Sequence, residues 1–331
     1  MSAVDRMDRF QRAHPVVGFP LGVVYKFFDD AGGYLAAQLT YYAFISLFPL
    51  LLLLATILSV LLRNHPEWQR DVISSALTQF PVVGAQLGDP KSLSGGPGGV
   101  VVGIVLALYG AMGAGNALQF TMNTVWAVPR NSRPNPLLAR GRSLVVVGIA
   151  GLAVVATTAL STFSAAASDW GGWVRVLTVL AAMVVNAGIV MLCFDIGVGG
   201  FRRRQQLPGA VVAAVMWQLL QTFGVSYVGR VIKRSSASNG VFALVIGLLA
   251  FIYVSAVVIV LCAELNVVRL RRLYPRALLT PFTDNVDLTE ADKVAYAGQA
   301  RAMRAKGYQR IEVVFGDRHG SGGDRPDAPT G

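Results

Sequence analysis

A chain of 331 residues that is 54% hydrophobic and only 14% charged lies well below the ~25% charge of ordinary soluble domains. That balance excludes a water-soluble two-domain protein of this length and indicates a membrane chain. The formal net charge of +11 suits anionic partners, so the placement of the basic residues decides between nucleic acid and lipid headgroups.

Residues 1–33 read as a basic, partly amphipathic lead-in. Phe19, Val23, Val24, Phe27 and Phe28 are expected in the membrane interface, with Lys26 on the wet side. The lead-in has no apolar core and no small-residue cleavage site, so the first apolar run is expected to be kept as an anchor. Six such runs follow, at 35–62, 98–128, 144–167, 174–194, 207–229 and 241–268. Each reaches the ~20 residues that a helix needs to cross ~30 Å of hydrocarbon. None shows the polar face of a soluble core helix, and only a helix closes its own backbone hydrogen bonds in lipid. The expected fold is therefore all-α and polytopic, with six transmembrane helices over residues 34–272 and a polar tail at 273–331.

Between the runs, Pro49 should kink the first helix. Ile73, Leu77, Phe80 and Leu87 predict an interfacial helix over 68–87 in the first outer loop, broken at Pro81. Residues 89–99 read as a flexible loop, and 129–142, with three prolines and four arginines, as an irregular one. Trp170 and Trp173 fit an aromatic belt. Residues 199–206 and 230–239 read as short polar loops, and 320–331 as disordered.

Basic loops stay on the cytoplasmic side. With both termini placed there, the inner segments carry Arg6, Arg9, Arg12, Lys26, Arg130, Arg133, Arg140, Arg142, Arg202–Arg204, Arg269, Arg271, Arg272 and Arg276. The outer segments carry only Arg63, Arg70, Lys91, Arg175, Arg230, Lys233 and Arg234. The bias predicts cytoplasmic termini and basic loops that meet anionic headgroups. Nucleic acid is not needed to explain the charge.

Polar side chains inside lipid normally face other helices or a wet cavity. Gly99, Gly103, Ala107, Ala111 and Gly115 recur every four residues in the second helix, and Gln119 and Asn123 continue the stripe. This is either a packing seam, which also suits contact with a second copy of the chain, or a path lined by Asn116, Gln119 and Asn123. Gln38, Tyr42 and Ser46, on turns before Pro49, are either interfacial or part of a pocket beside a broken helix. Asp195 and Glu264 are the acids in or beside the runs. They either pair with Arg202–Arg204 or Arg269, or relay a proton or cation. Gln218 and Gln221 are spaced to face the same interior as Glu264.

At these residues the chain resembles the BrkB/YihY-like membrane proteins. The resemblance rests on Gln38-Leu-Thr-Tyr-Tyr-Ala-Phe-Ile-Ser-Leu-Phe-Pro49, Trp126-Ala-Val-Pro129, Leu207-Pro-Gly-Ala210 with Trp217 and Tyr227, Asn239-Gly240, Tyr253-Val-Ser-Ala256 and Cys262-Ala-Glu-Leu-Asn266. It spans about 32–272. The family pattern often has Gly where this chain has Cys262, which puts close packing there in question. The resemblance implies a six-helix protein of the bacterial inner (plasma) membrane. Its members have been labelled virulence factor or ribonuclease BN, and some relatives have been linked to export of envelope lipids.

Metal-dependent RNA cleavage needs converging carboxylates or histidines. His14, His65 and His319 lie in separate segments, and no paired-carboxylate motif occurs. No GxSxG, zinc spacing or nucleotide-binding loop is present, and Cys193 and Cys262 read as small buried hydrophobes. The expectation is a non-enzyme without metal or cofactor. Its role is either transport or export of an envelope lipid or small solute, or that of a membrane scaffold.

Overall fold

The computed structural model describes residues 3–61, 97–166, 172–199, 203–234, 237–280, 283 and 286–316. The described residues form helices and turns, with no strand. Two helices, α1 (Ala3–Ala13) and α2 (Pro15–Asp29), precede six long ones. These are α3 (Gly32–Leu61), α4 (Pro97–Val125), α5 (Pro136–Ala166), α6 (Gly172–Val198), α7 (Arg203–Arg234) and α8 (Ala237–Arg271). A last helix, α9 (Glu290–Ala302), lies in the tail. Among the described residues, four of the long helices carry stretches long and apolar enough to cross a membrane: Pro136–Ala153, Val176–Val198, Arg204–Gly224 and Val245–Arg271. Along Val176–Val198 most apolar side chains are exposed or half-buried, Phe194 excepted, as suits a helix that faces lipid on one side.

The long helices pack in chain order around a ring. Each touches the next, α8 closes on α3, and α4 also reaches α6 and α8 across the middle. Gln119 of α4 donates to the Ala139 carbonyl and to Ser143 of α5, and Gly197 of α6 sits against Met122 of α4. The ends of α4, α6 and α8 and the starts of α3, α5 and α7 therefore meet at one end of the bundle. The main buried cluster is there too, built around Met122, Val125, Trp126, Phe194, Val260 and Val267.

Helix ends at this base are fixed by local chemistry. α4 ends with Val128 N–H on the Asn123 carbonyl and Ala127 N–H on that of Thr124, a Schellman pair with Ala127 at φ 48°. α8 ends similarly, with Leu273 N–H on the Val268 carbonyl and Arg272 at φ 51°. Both left-handed residues carry a side chain where glycine is usual, and each costs about 1 kcal/mol.

Several boundaries differ from the sequence expectation. α5 begins inside the expected irregular loop because Asn135 Oδ1 accepts the Leu138 N–H at 2.8 Å and Pro136 suits the first turn. Arg140 and Arg142 are thus helical. α7 takes up 203–206 of the expected loop at 199–206, and α7 and α8 together take up 230–234 and 237–239 of that at 230–239. α3 runs on through Pro49, so the helix is not interrupted there; the Pro49 side chain lies outside the described residues. The expected interfacial helix at 68–87, Trp170, and the tail end at 320–331 also lie outside them.

Candidate functional site

The base of the bundle holds two buried charge networks. In the first, Lys26 of α2 lies 2% exposed and donates to Asp30, to Glu264 Oε2 at 3.3 Å and to the Val125 carbonyl at 3.2 Å. Three acceptors match the three ammonium protons. Val125 is the last residue of α4, where helical carbonyls are left unpaired and a cation is favoured. Asp30 Oδ1 accepts from Gln299 of α9 at 2.7 Å. Glu264 is fully buried, and its second oxygen, Oε1, accepts from none of the described residues. One ammonium thus sits between two carboxylates, a net negative set that a single proton would neutralise. Burial alone would lower the Lys26 pKa, but Glu264 and Asp30 outweigh it and hold it above the ordinary lysine value.

The second network begins at the neighbouring carboxylate. Arg276, fully buried, donates to Asp292 and to Asp29 at 2.8 Å. Its guanidinium lies 5.3 Å from the Tyr296 ring centre. Asp292 is also part of the capping box that starts α9: its Oδ2 accepts from Thr289 N at 2.8 Å and from Ala277 N at 3.0 Å. Burial raises the Asp29 pKa, and Arg276 offsets this only in part. The arginine is held above its usual value because the two carboxylates outweigh its own burial. Adjacent carboxylates at the end of α2, its last residue and its C-cap, therefore join the tail to the bundle. Asp29 holds Arg276, and Asp30 holds Lys26 and Gln299.

This corrects two expectations. Lys26 does not face water: positions 19, 23, 26 and 30 form the inner face of α2, where Val23 is buried and Phe19 packs on the core. Val24 and Phe28 are exposed. Glu264 takes its cation from Lys26 and not from a nearby arginine, and Arg269 is exposed. Asp195 is buried and engaged.

The other singled-out residues divide by contact. Gln119 and Ser143 form a polar tie between α4 and α5, and Ser143 also donates to Asn116 Oδ1 at 3.0 Å. Asn116 itself is exposed, while Asn123 is buried and donates to the Gln119 carbonyl. Ser46 is buried and donates within its own turn, Tyr42 is half-buried, and Gln38, Gln218 and Gln221 are half-buried. None of these is in the charge networks. Asn266, 1% exposed, accepts from Gly209 N at 2.7 Å and donates to Gln206 Oε1 at 3.1 Å, pinning the start of α7 to α8.

Ala111 is buried and Gly115 faces Ser143, but the surroundings of Gly99, Gly103 and Ala107 lie outside the described residues. The closest approaches on α4 include two glycines the stripe omits. A Cβ on Gly110 would lie 2.7 Å from Ser46 Cα, and one on Gly113 would lie 2.3 Å from the Tyr42 ring. At Gly209 a Cβ would lie 2.1 Å from the Cys262 carbonyl, so glycine on α7 supplies the close approach that Cys262 put in question.

The sequence reading missed Asp29, Asp30, Arg276, Asp292 and Gln299. Lys26 and Asp30, four residues apart in an otherwise apolar stretch, carried the signal of an intrahelical ion pair. Thr289 three residues before Asp292 carried that of a helix start.

A ring of long, outward-apolar helices with charges sealed at one end defines a polytopic α-helical membrane protein. A family model described as Virulence factor BrkB matches residues 23–284, and the chain belongs to that family. Those bounds take in the whole ring, Lys26, Asp30, Glu264 and Arg276, and they stop short of α9. No curated protein and no solved structure matches the chain.

Proposed function

We propose that this protein spans the bacterial inner membrane six times with both termini in the cytoplasm, and exports an envelope lipid or small solute. The supporting observation is the Lys26–Asp30–Glu264 set, a buried cation between two carboxylates where α2, α4 and α8 meet. Such a set is expensive to keep among apolar helices, and charged groups buried in membrane bundles are usually retained for transport or proton relay. Carrying one proton in exchange for Lys26 would let Glu264 couple opening of the base to transport. We also read the protein as a non-enzyme.

The test compares lipid and solute pools in a deletion strain complemented with wild type or Glu264→Gln, each checked for normal insertion. Build-up of one envelope lipid or solute on the cytoplasmic side, relieved by wild type but not by Glu264→Gln, is the expected result. Unchanged pools in the deletion strain would contradict export and favour a scaffold role.

A further inference from the structure

Helix α9 is tied to the base by side chains at both of its ends. Near its start, Asp292 accepts from Arg276, and Thr289 donates to the Pro275 carbonyl at 2.9 Å. One turn on, the Tyr296 ring has the Arg276 guanidinium over it. Gln299, a further turn along the same face, donates to Asp30 Oδ1 at 2.7 Å. Just past the helix, Arg304 Nε donates to Asn131 Oδ1 at 3.1 Å, and the Arg304 carbonyl accepts from the Asn131 N–H at 3.1 Å. Between these ties Gly298 lies over Arg271, whose Nη2 donates to the Trp126 carbonyl just past the end of α4. α9 therefore lies across the ends of α4 and α8 and the cap of α2. Asp30 is buried and Gln299 half-buried, which puts α9 on the outer side of the Lys26–Asp30–Glu264 set.

Two properties make this helix separable from what it covers. Its 13 residues are about the length at which an isolated helix is only marginal in water, so its order depends on docking. Its buried apolar residues are Ala291, Ala295 and Ala297, which remove little surface from water, so the polar ties carry most of the hold. We infer that α9 is a strap that closes the base of the bundle over the Lys26–Asp30–Glu264 set and is held shut through Asp30. Asp30 presents one oxygen to Lys26 and the other to Gln299, so strap and set share one carboxylate. Its charge strengthens both bonds, and losing that charge weakens the strap as well as the set. As a strap, α9 rests on these contacts alone; as the gate that lifts when the base opens, it rests on the export reading.

The test uses the full-length protein in phosphatidylcholine nanodiscs with a reporter thiol, Ala295→Cys, on the covered face of α9. Its reaction with a charged maleimide is followed by mass mapping, with native Cys262, buried in the bundle, as internal control. The reporter is expected to react slowly while α9 is docked. Gln299→Ala and Asp30→Asn should each speed the reaction about tenfold, the worth of one hydrogen bond to a charged acceptor. The two together should do little more than either alone, because both break one contact. Cys262 should keep its rate throughout. Glu264→Gln, the variant expected to stop export, should leave the reporter unchanged because Asp30 keeps its charge, so the strap and the export reading fail separately. Amide exchange over residues 290–302 in the chain without the reporter should rank the variants in the same order. A reporter already as reactive as a thiol placed at exposed Val294, rates unmoved by both Gln299→Ala and Asp30→Asn, or equal acceleration at Cys262 would overturn the inference.

Discussion

Lys26 decides more at the base than any other residue. Removing it leaves two buried carboxylates facing each other, whereas removing the Glu264 charge leaves a balanced Lys26–Asp30 pair. Lys26→Met should therefore destabilise by about 3–5 kcal/mol, and Glu264→Gln by clearly less, measured as thermal unfolding in detergent. Equal losses would mean that Asp30 alone sets the energetics. Asp29 gives a second expectation. Its folded pKa is raised, so its contribution is full below about pH 3.9 and fades as pH rises through the raised value. Lys26 is also raised, and its contribution persists up to about pH 10.4. Asp29→Asn should then flatten the fall in stability between acid and neutral pH while leaving the alkaline limb in place. An unaltered acid limb would show that Asp29 ionises freely in the fold.

At the scale of the element, the long helices were legible and their ends were not. Apolar runs mark the stretch that faces lipid, but a helix continues past lipid wherever capping permits, as Asn135 permits at α5. The position of Gln119 was legible too, because an amide inside an apolar run must find a neighbour, and that of Asn266 through the motif that carries the resemblance. Their partners were not, since Ser143 and Gly209 are far off in sequence and only packing brings them close. The same limit hid the Lys26 set: Glu264 stood out in its helix, whereas its cation lay 238 positions away in what read as a wet lead-in. Gly209 carries the sharpest expectation at this scale. A Cβ there would strike the Cys262 backbone carbonyl, so Gly209→Ala should separate the start of α7 from α8 and lower the melting temperature. The readout is unfolding of the purified protein, together with cysteine labelling at buried Cys262, which should become faster. An unchanged melting temperature and labelling rate would show that the α7–α8 contact yields without cost.

For the whole molecule, the tail and the lead-in close one end of the ring. α9 reaches the first network through Gln299 and the second through Asp292, while the end of α2 and its cap supply a carboxylate to each. The end sealed by charge is thus also the end where α1, α2 and α9 sit, and the proposed export would open there. The most direct test separates charge from fold. A triple variant, Lys26→Met with Asp30→Asn and Glu264→Gln, removes every charge of the first network together, and such neutral replacements often preserve or raise stability. Leaflet distribution of the accumulated lipid or solute would be measured in deletion cells carrying this variant at wild-type abundance. The account predicts a folded, inserted protein that fails to relieve the accumulation. Full relief by the uncharged variant would contradict it, leaving the buried charges with a structural role alone.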